Sequence, residues 1–181
     1  MHRVRIIPFI RSLFTIPALA FSQASKQDSI RQPLKRFTGR WKGIGGGQPG
    51  TGIDQRSYQF VLNRRHLQVG NKSTYPPTGQ HPEGEVYEDI GHSRYDKIRH
   101  TFNLRQFHVE GFVHQYRPDS LSADGRTIVF VSEAIENIPA GWRARERYHI
   151  PDNDHIEETF EPAEPGNAFE LYSNGTLHRD Q

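Results

Sequence analysis

Two histidines and a glutamate, His108, Glu110 and His114, bracket the turn dipeptide Glu110-Gly111. On a hairpin the two imidazoles meet across neighbouring strands. With Glu110 they offer the nitrogen and oxygen donors that zinc accepts, or a general acid–base pair. A metal needs three or four ligands in one small volume, and the residues placed to complete such a set are His92 and Glu133. No HExxH-like spacing occurs, so the expectation is a polar hydrogen-bonding network lining a cavity, with no metal.

Charges also recur inside apolar runs, at Glu88, Arg105, Glu133, Arg145 and Glu158. The alternation Ile156, Glu158, Phe160 directs Glu158 inward, and Phe102, Leu104, Gln106 directs Gln106 the same way. A buried charge is costly unless paired, so an inward Glu158 requires an inward arginine or a polar ligand group. The expected cavity set is Gln106, His108, His114, Tyr116, Glu133, Arg145 and Glu158, on the register this alternation gives; a one-residue slip would reverse each strand's faces.

Other chemistries are excluded. With no cysteine there is no disulfide, thiolate metal site, cysteine nucleophile or cysteine-linked lipid. Gly45-Gly46-Gly47 runs into Pro49-Gly50 and not into a helix, so it lacks the helix N-terminus that phosphate loops use. Phe102, Phe107, Phe112 and Tyr116 have the rings to stack nucleobases. The charge argues otherwise: residues 1–20 hold Arg3, Arg5 and Arg11 and no acid, leaving 20 basic against 21 acidic residues in the remainder. No nucleic-acid partner is expected.

These side chains must be held by short strands. From Leu34 onward, runs rich in Val, Ile, Phe, Tyr and Thr are punctuated by turn residues such as Pro76-Pro77-Thr78-Gly79, Asp124-Gly125 and Asn174-Gly175. The spacing predicts about ten strands, near 36–44, 55–62, 65–74, 84–95, 100–109, 111–118, 126–134, 142–150, 154–161 and 168–178. Short links favour an up-and-down meander, which removes exposed edges by closing into a barrel. The longest links, 75–83 and 135–141, contain proline and are placed to lie over a barrel mouth. The fold class is therefore all-β, a single antiparallel barrel over 34–181.

Ahead of it, residues 1–20 read as an export signal: two arginines by position 5, a mostly apolar run interrupted by Pro8 and Arg11, and Ala18-Leu19-Ala20 as a small-x-small cleavage pattern. Residues 21–33 are polar and read as a linker. The apolar run is too short to span a membrane, so the mature protein is expected in the periplasm or secreted, with no membrane span.

Gly39-Arg40-Trp41-Lys42-Gly43-Ile44-Gly45 is the most informative stretch. Alternation puts Gly39, Trp41, Gly43 and Gly45 on one face, where glycines let the backbone bend around a single indole. In a closed barrel the last strand pairs with the first, bringing Arg179 within cation–π reach of Trp41. At these residues the chain resembles the calycin superfamily, lipocalins and fatty-acid-binding proteins, and the extended Gly-x-Trp-x-Gly-x-Gly is similar to the nitrobindin-like haem-binding barrels. The resemblance implies a small, mostly apolar ligand. Haem is one candidate, through a histidine near the C-terminus, which here would be His178. A fatty-acid-like carboxylate held by Arg105 or Arg145 with Tyr116 is the other. If Arg179 faces Trp41, however, alternation turns His178 outward to solvent. An isomerase- or cyclase-type enzyme using His and Glu in the cavity, and a structural envelope module with a filled interior, are the alternatives.

Overall fold

The computed structural model describes residues 31–79 and 81–180. The leader, and the linker up to residue 30, lie outside the described residues. The end of the expected linker is not extended: Gln32–Lys35 forms a one-turn helix, α1, with Pro33 in its first turn, where a missing N–H costs nothing. Leu34 and the following Phe37 are buried.

Ten strands follow: β1 (Gly39–Gly47), β2 (Gly52–Val61), β3 (His66–Tyr75), β4 (Glu85–Asp96), β5 (Thr101–His108), β6 (Val113–Leu121), β7 (Thr127–Glu136), β8 (Arg143–His149), β9 (His155–Ala163) and β10 (Ser173–Arg179). Each pairs antiparallel with its sequence neighbours, and β1 pairs with β10, so the sheet closes on itself with no free edge. This is the expected all-β, ten-stranded antiparallel barrel. Several boundaries differ from expectation: β1 runs on to Gly47, β2 begins at Gly52 and β6 runs on to Leu121. Residues 36–38 turn from the helix into β1, and 168–172 form an irregular link before β10.

Inward positions divide the interior into two layers. At one end Phe37, Trp41, Leu67, Val69, Leu104, Ile128, Phe130, Ile156 and Leu177 form a dry apolar core. Phe37 packs on Tyr58 and Tyr148, with ring centroids 5.3 and 5.8 Å away, so α1 and its following turn plug this end. Trp41 seals the closing seam. Its Nε1 donates to the Phe37 carbonyl at 2.7 Å, and the Arg179 guanidinium lies 4.1 Å above its ring while donating to the Thr38 and Asn153 carbonyls. A Cβ on Gly43 would come within 1.9 Å of the Thr176 carbonyl oxygen, so the close approach of β1 to β10 requires glycine there.

Continuing along the same strands toward the other end, the inward positions become polar. That change of side-chain type along each strand, and not any change of backbone, creates the site described next.

Candidate functional site

A cavity of about 370 Å³ occupies the second layer, within the usual size range of small-molecule sites. The links joining β1 to β2, β5 to β6 and β9 to β10 contribute Pro49, Glu110, Phe112 and Tyr172 to its rim. The proline-containing β3–β4 and β7–β8 links end at this same side of the barrel.

Glu146, on β8, forms the floor. Its carboxylate accepts from the Tyr116 hydroxyl at 3.0 Å, from Gln106 Nε2 at 3.3 Å and, closely, from the Tyr148 hydroxyl. Tyr116 in turn bonds His114 Nδ1 at 2.9 Å. Burial pushes the Glu146 carboxyl up to about 7, against the lowering effect of the Tyr148 and Tyr116 hydrogen bonds. Near neutral pH it therefore holds and releases a proton with similar ease.

One wall comes from β2 and β9. Arg56 lies between Glu158, 3.2 Å from its Nε, and Asp54, 3.6 Å from its Nη2. Burial opposes the Arg56 charge, but these two carboxylates outweigh it and hold the guanidinium above its ordinary range. Asp54 is accommodated by glycines: a Cβ on Gly45 would sit 2.3 Å from Asp54 Oδ2, and one on Gly175 2.8 Å. Beside Arg56, across the intervening Asn71 of β3, β4 carries Asp89, pushed up to about 6 by burial despite Arg56 and a 2.7 Å hydrogen bond donated by Asn71 Nδ2.

His108 and His114 lie with ring centroids 4.7 Å apart, and Phe112 stacks on His108 at 4.4 Å. Burial lowers both histidines, His108 to about 4 and His114 to about 3, the latter also through His108. Both imidazoles are neutral at pH 7. Four residues lining this cavity each hold a buried atom with no hydrogen-bond partner among the described residues: Asn71 Oδ1, Gln106 Oε1, His108 Nε2 and Glu158 Oε1, the last ion-paired to Arg56 without hydrogen-bond geometry. Buried polar atoms are rarely left this way, and such a cluster marks where an outside group belongs.

Of the residues expected in the cavity, the fold brings together Gln106, His108, His114 and Glu158, with Tyr116 beneath them bonded to Glu146 and His114. Two expectations are corrected. Arg145 faces outward, where it makes a two-pronged ion pair with Glu161 and lies over Phe169. Its neighbours Ala144, Glu146 and Tyr148 are the buried positions of β8. Glu133 lies outside with Arg99 and Arg105, on the outward parity of β7, and is left unpaired by the bulge where Gln115 pairs with Ala134 and Tyr116 with Ser132. Arg105, named for a ligand carboxylate, donates instead to the Leu104 and Tyr116 carbonyls. His92 is also clear of the cavity, its ring 6.0 Å from His66. No group of three metal-binding side chains occurs among the described residues. His178 is exposed and packs on His155. Sequence reasoning missed Asp54, Arg56, Asp89, Glu146 and Tyr148, all of which fall on inward alternation positions of their strands.

No family model matches the chain, and no curated protein matches it. Among solved structures, Rv2717c from M. tuberculosis aligns with a TM-score of 0.65 at 16% identity, covering 84% of this chain and 98% of that one. An S-type phycobiliprotein lyase from Guillardia theta aligns at 0.53 and 13% identity, covering 84% and 93%. At these identities the likeness is one of fold: the chain shares the closed β-barrel architecture of both.

Proposed function

We propose that the barrel binds one small molecule in the cavity at its open end. The observation that carries this is the convergence, around one aromatic-walled cavity, of four lining residues, Asn71, Gln106, His108 and Glu158, that each keep a buried polar atom without a hydrogen-bond partner. A filled structural barrel would have packed or paired these groups. The fold supports the reading, since a barrel of this size encloses a single small ligand. Export to the periplasm or beyond is part of the proposal and rests on the sequence of residues 1–20 alone.

The residues do not fit haem as the family resemblance implies it. His178 is on the outer face. Inside, Arg56 is the cation among the described lining residues and is already shared by two carboxylates, so it is not free to meet the propionates. The fatty-acid-like carboxylate meets the same obstacle, because Arg105 and Arg145 face away.

An enzymatic reading is favoured by one observation, the Glu146 carboxyl near 7 beside two tyrosine hydroxyls. A general acid or base works best with its pKa near the operating pH. Binding is required by both readings and is tested first. Native mass spectrometry of the full chain, purified without denaturation, is expected to show a non-covalent adduct at one per chain that is absent from the denatured spectrum and lost in Ser73→Trp, which fills the cavity. A bare mass, with no thermal shift across a small-molecule panel, would overturn the proposal.

A further inference from the structure

We infer that the cavity selects a compact, ring-bearing cation with N–H donors, an amine in the first instance, over a carboxylate of the same shape. This rests on the reading of the cavity as a binding site and names the chemistry of its ligand.

Gln106 is 2% exposed, and its amide is oriented by its Nε2, which donates to Glu146. Its unpartnered atom is therefore the carbonyl oxygen, an acceptor. Asn71 is fixed the same way, with Nδ2 given to Asp89 and Oδ1 left without a donor. Glu158 Oε1 is a third acceptor. His108 Nε2, on a neutral ring, accepts or donates according to tautomer. The vacant hydrogen bonds thus call for donors from the ligand.

Charge gives the same answer independently. Within the barrel Asp54, Asp89, Glu146 and Glu158 face one cation, Arg56, which Asp54 and Glu158 already claim. Glu110 at the rim adds a further acid, and His108 and His114 are uncharged at neutral pH. Burial chiefly raises the proton affinity of Asp89 and Glu146, and the neighbouring acids add to it, with no further positive charge on the described lining residues to offset them. A bound ammonium supplies that charge and the missing donors together. A carboxylate would bring a fifth anion into a space already short of cations, at a large desolvation cost. For the body of the ligand, the stacked His108–Phe112 pair and the Phe160–Tyr172 pair, 5.9 Å between centroids, provide walls for a flat ring.

The test uses three probes sharing one indole ring and differing in the end of a short side chain: tryptamine, the uncharged tryptophol and indole-3-propionate. Each is titrated calorimetrically into the full chain at pH 7.5, with Asp89→Asn as the variant. Asn keeps the shape of Asp89 and can still accept from Asn71, and a thermal melt establishes that the variant is folded. Tryptamine is expected to bind about tenfold more tightly than tryptophol, with indole-3-propionate weakest, and Asp89→Asn is expected to remove most of that preference. Equal or tighter binding of indole-3-propionate overturns the inference while leaving the binding cavity itself standing. Failure of all three probes also overturns it, and the purified protein's retained adduct then decides the binding proposal separately. A tryptamine preference unchanged in both Asp89→Asn and Glu158→Gln would place its source outside the cavity acids and overturn the inference too.

Discussion

Trp41→Ala is expected to destabilise the barrel by about 3–5 kcal/mol, the usual cost of truncating a buried large aromatic, as measured by urea denaturation at neutral pH. Trp41 is 1% exposed and closes the seam at which the last strand meets the first. Its removal opens a void and leaves the Phe37 carbonyl without its indole donor. It also strips the surface on which Arg179 rests while that arginine ties the Thr38 and Asn153 carbonyls together. Glycine neighbours cannot fill the space, because the backbones of β1 and β10 are already in contact at Gly43. Arg179→Ala is expected to cost less, about 1–2 kcal/mol, since it loses a partly exposed cation–π contact and hydrogen bonds to carbonyls that water reaches. A loss below about 1 kcal/mol for Trp41→Ala would show that the seam is held by backbone pairing alone.

The second large effect is on pH dependence. Glu146 has its folded-state pKa raised from 4.5 to about 7 by burial, and Asp89 from 3.8 to about 6. For an acid shifted upward, the native state binds the proton more tightly than the unfolded chain. Stability is therefore full below the unfolded pKa, falls as pH rises, and levels off above the folded value. Taken by itself, Glu146 is expected to lose its stabilising contribution progressively between about pH 4.5 and pH 7, by on the order of 3 kcal/mol. The groups facing Glu146 are Gln106 from β5, His114 and Tyr116 from β6, Tyr148 from β8, and at longer range Asp89 and Glu158. His108 and His114 run the other way: neutral in the fold and protonated in the unfolded chain below about 6.5, they add stability as pH rises toward that value. Glu146→Gln removes only the Glu146 part, so the stability of the wild type relative to Glu146→Gln is expected to fall between about pH 4.5 and pH 7. Thermal melts of both proteins across pH 4.5–8.5 measure this difference. A difference that does not fall over that window would mean that the floor carboxylate is stabilised as an anion.

The barrel was legible because strands such as β2 and β8 alternate and are bounded by residues with distinct turn chemistry. The closing contact was legible for the same reason, since the parity that faces Trp41 inward also faces Arg179 toward it. Half of the candidate site could be read from two alternations, Phe102-Leu104-Gln106 and Ile156-Glu158-Phe160. The rest was hidden by two physical causes. In Arg143-Ala144-Arg145-Glu146-Arg147-Tyr148 the small Ala144 marks the inward face weakly, so the arginine drew attention and the buried glutamate beside it did not. In β7 the buried Ile128 and Phe130 set a parity that already turns Glu133 outward, and the apolar neighbours of Glu133 hid that placement; the bulge there only leaves it unpaired. Asp54 and Asp89 were obscured because acids in strands are ordinarily outward. Their inward placement depends on glycines at Gly45 and Gly175 from other strands, and on Asn71.

The central claim, that the open-end cavity is where this protein meets a small molecule, is tested most directly by following side-chain amide signals in ¹H–¹⁵N spectra while tryptamine, tryptophol and indole-3-propionate are added in turn. Gln106 and Asn71 line the cavity, whereas Gln59 and Gln68 bond one another on the outer face and serve as internal controls. The account predicts saturable shifts at Gln106 and Asn71 with Gln59 and Gln68 unmoved, whichever of the probes binds. Shifts confined to Gln59 and Gln68, with Gln106 and Asn71 unchanged at saturation, would contradict it.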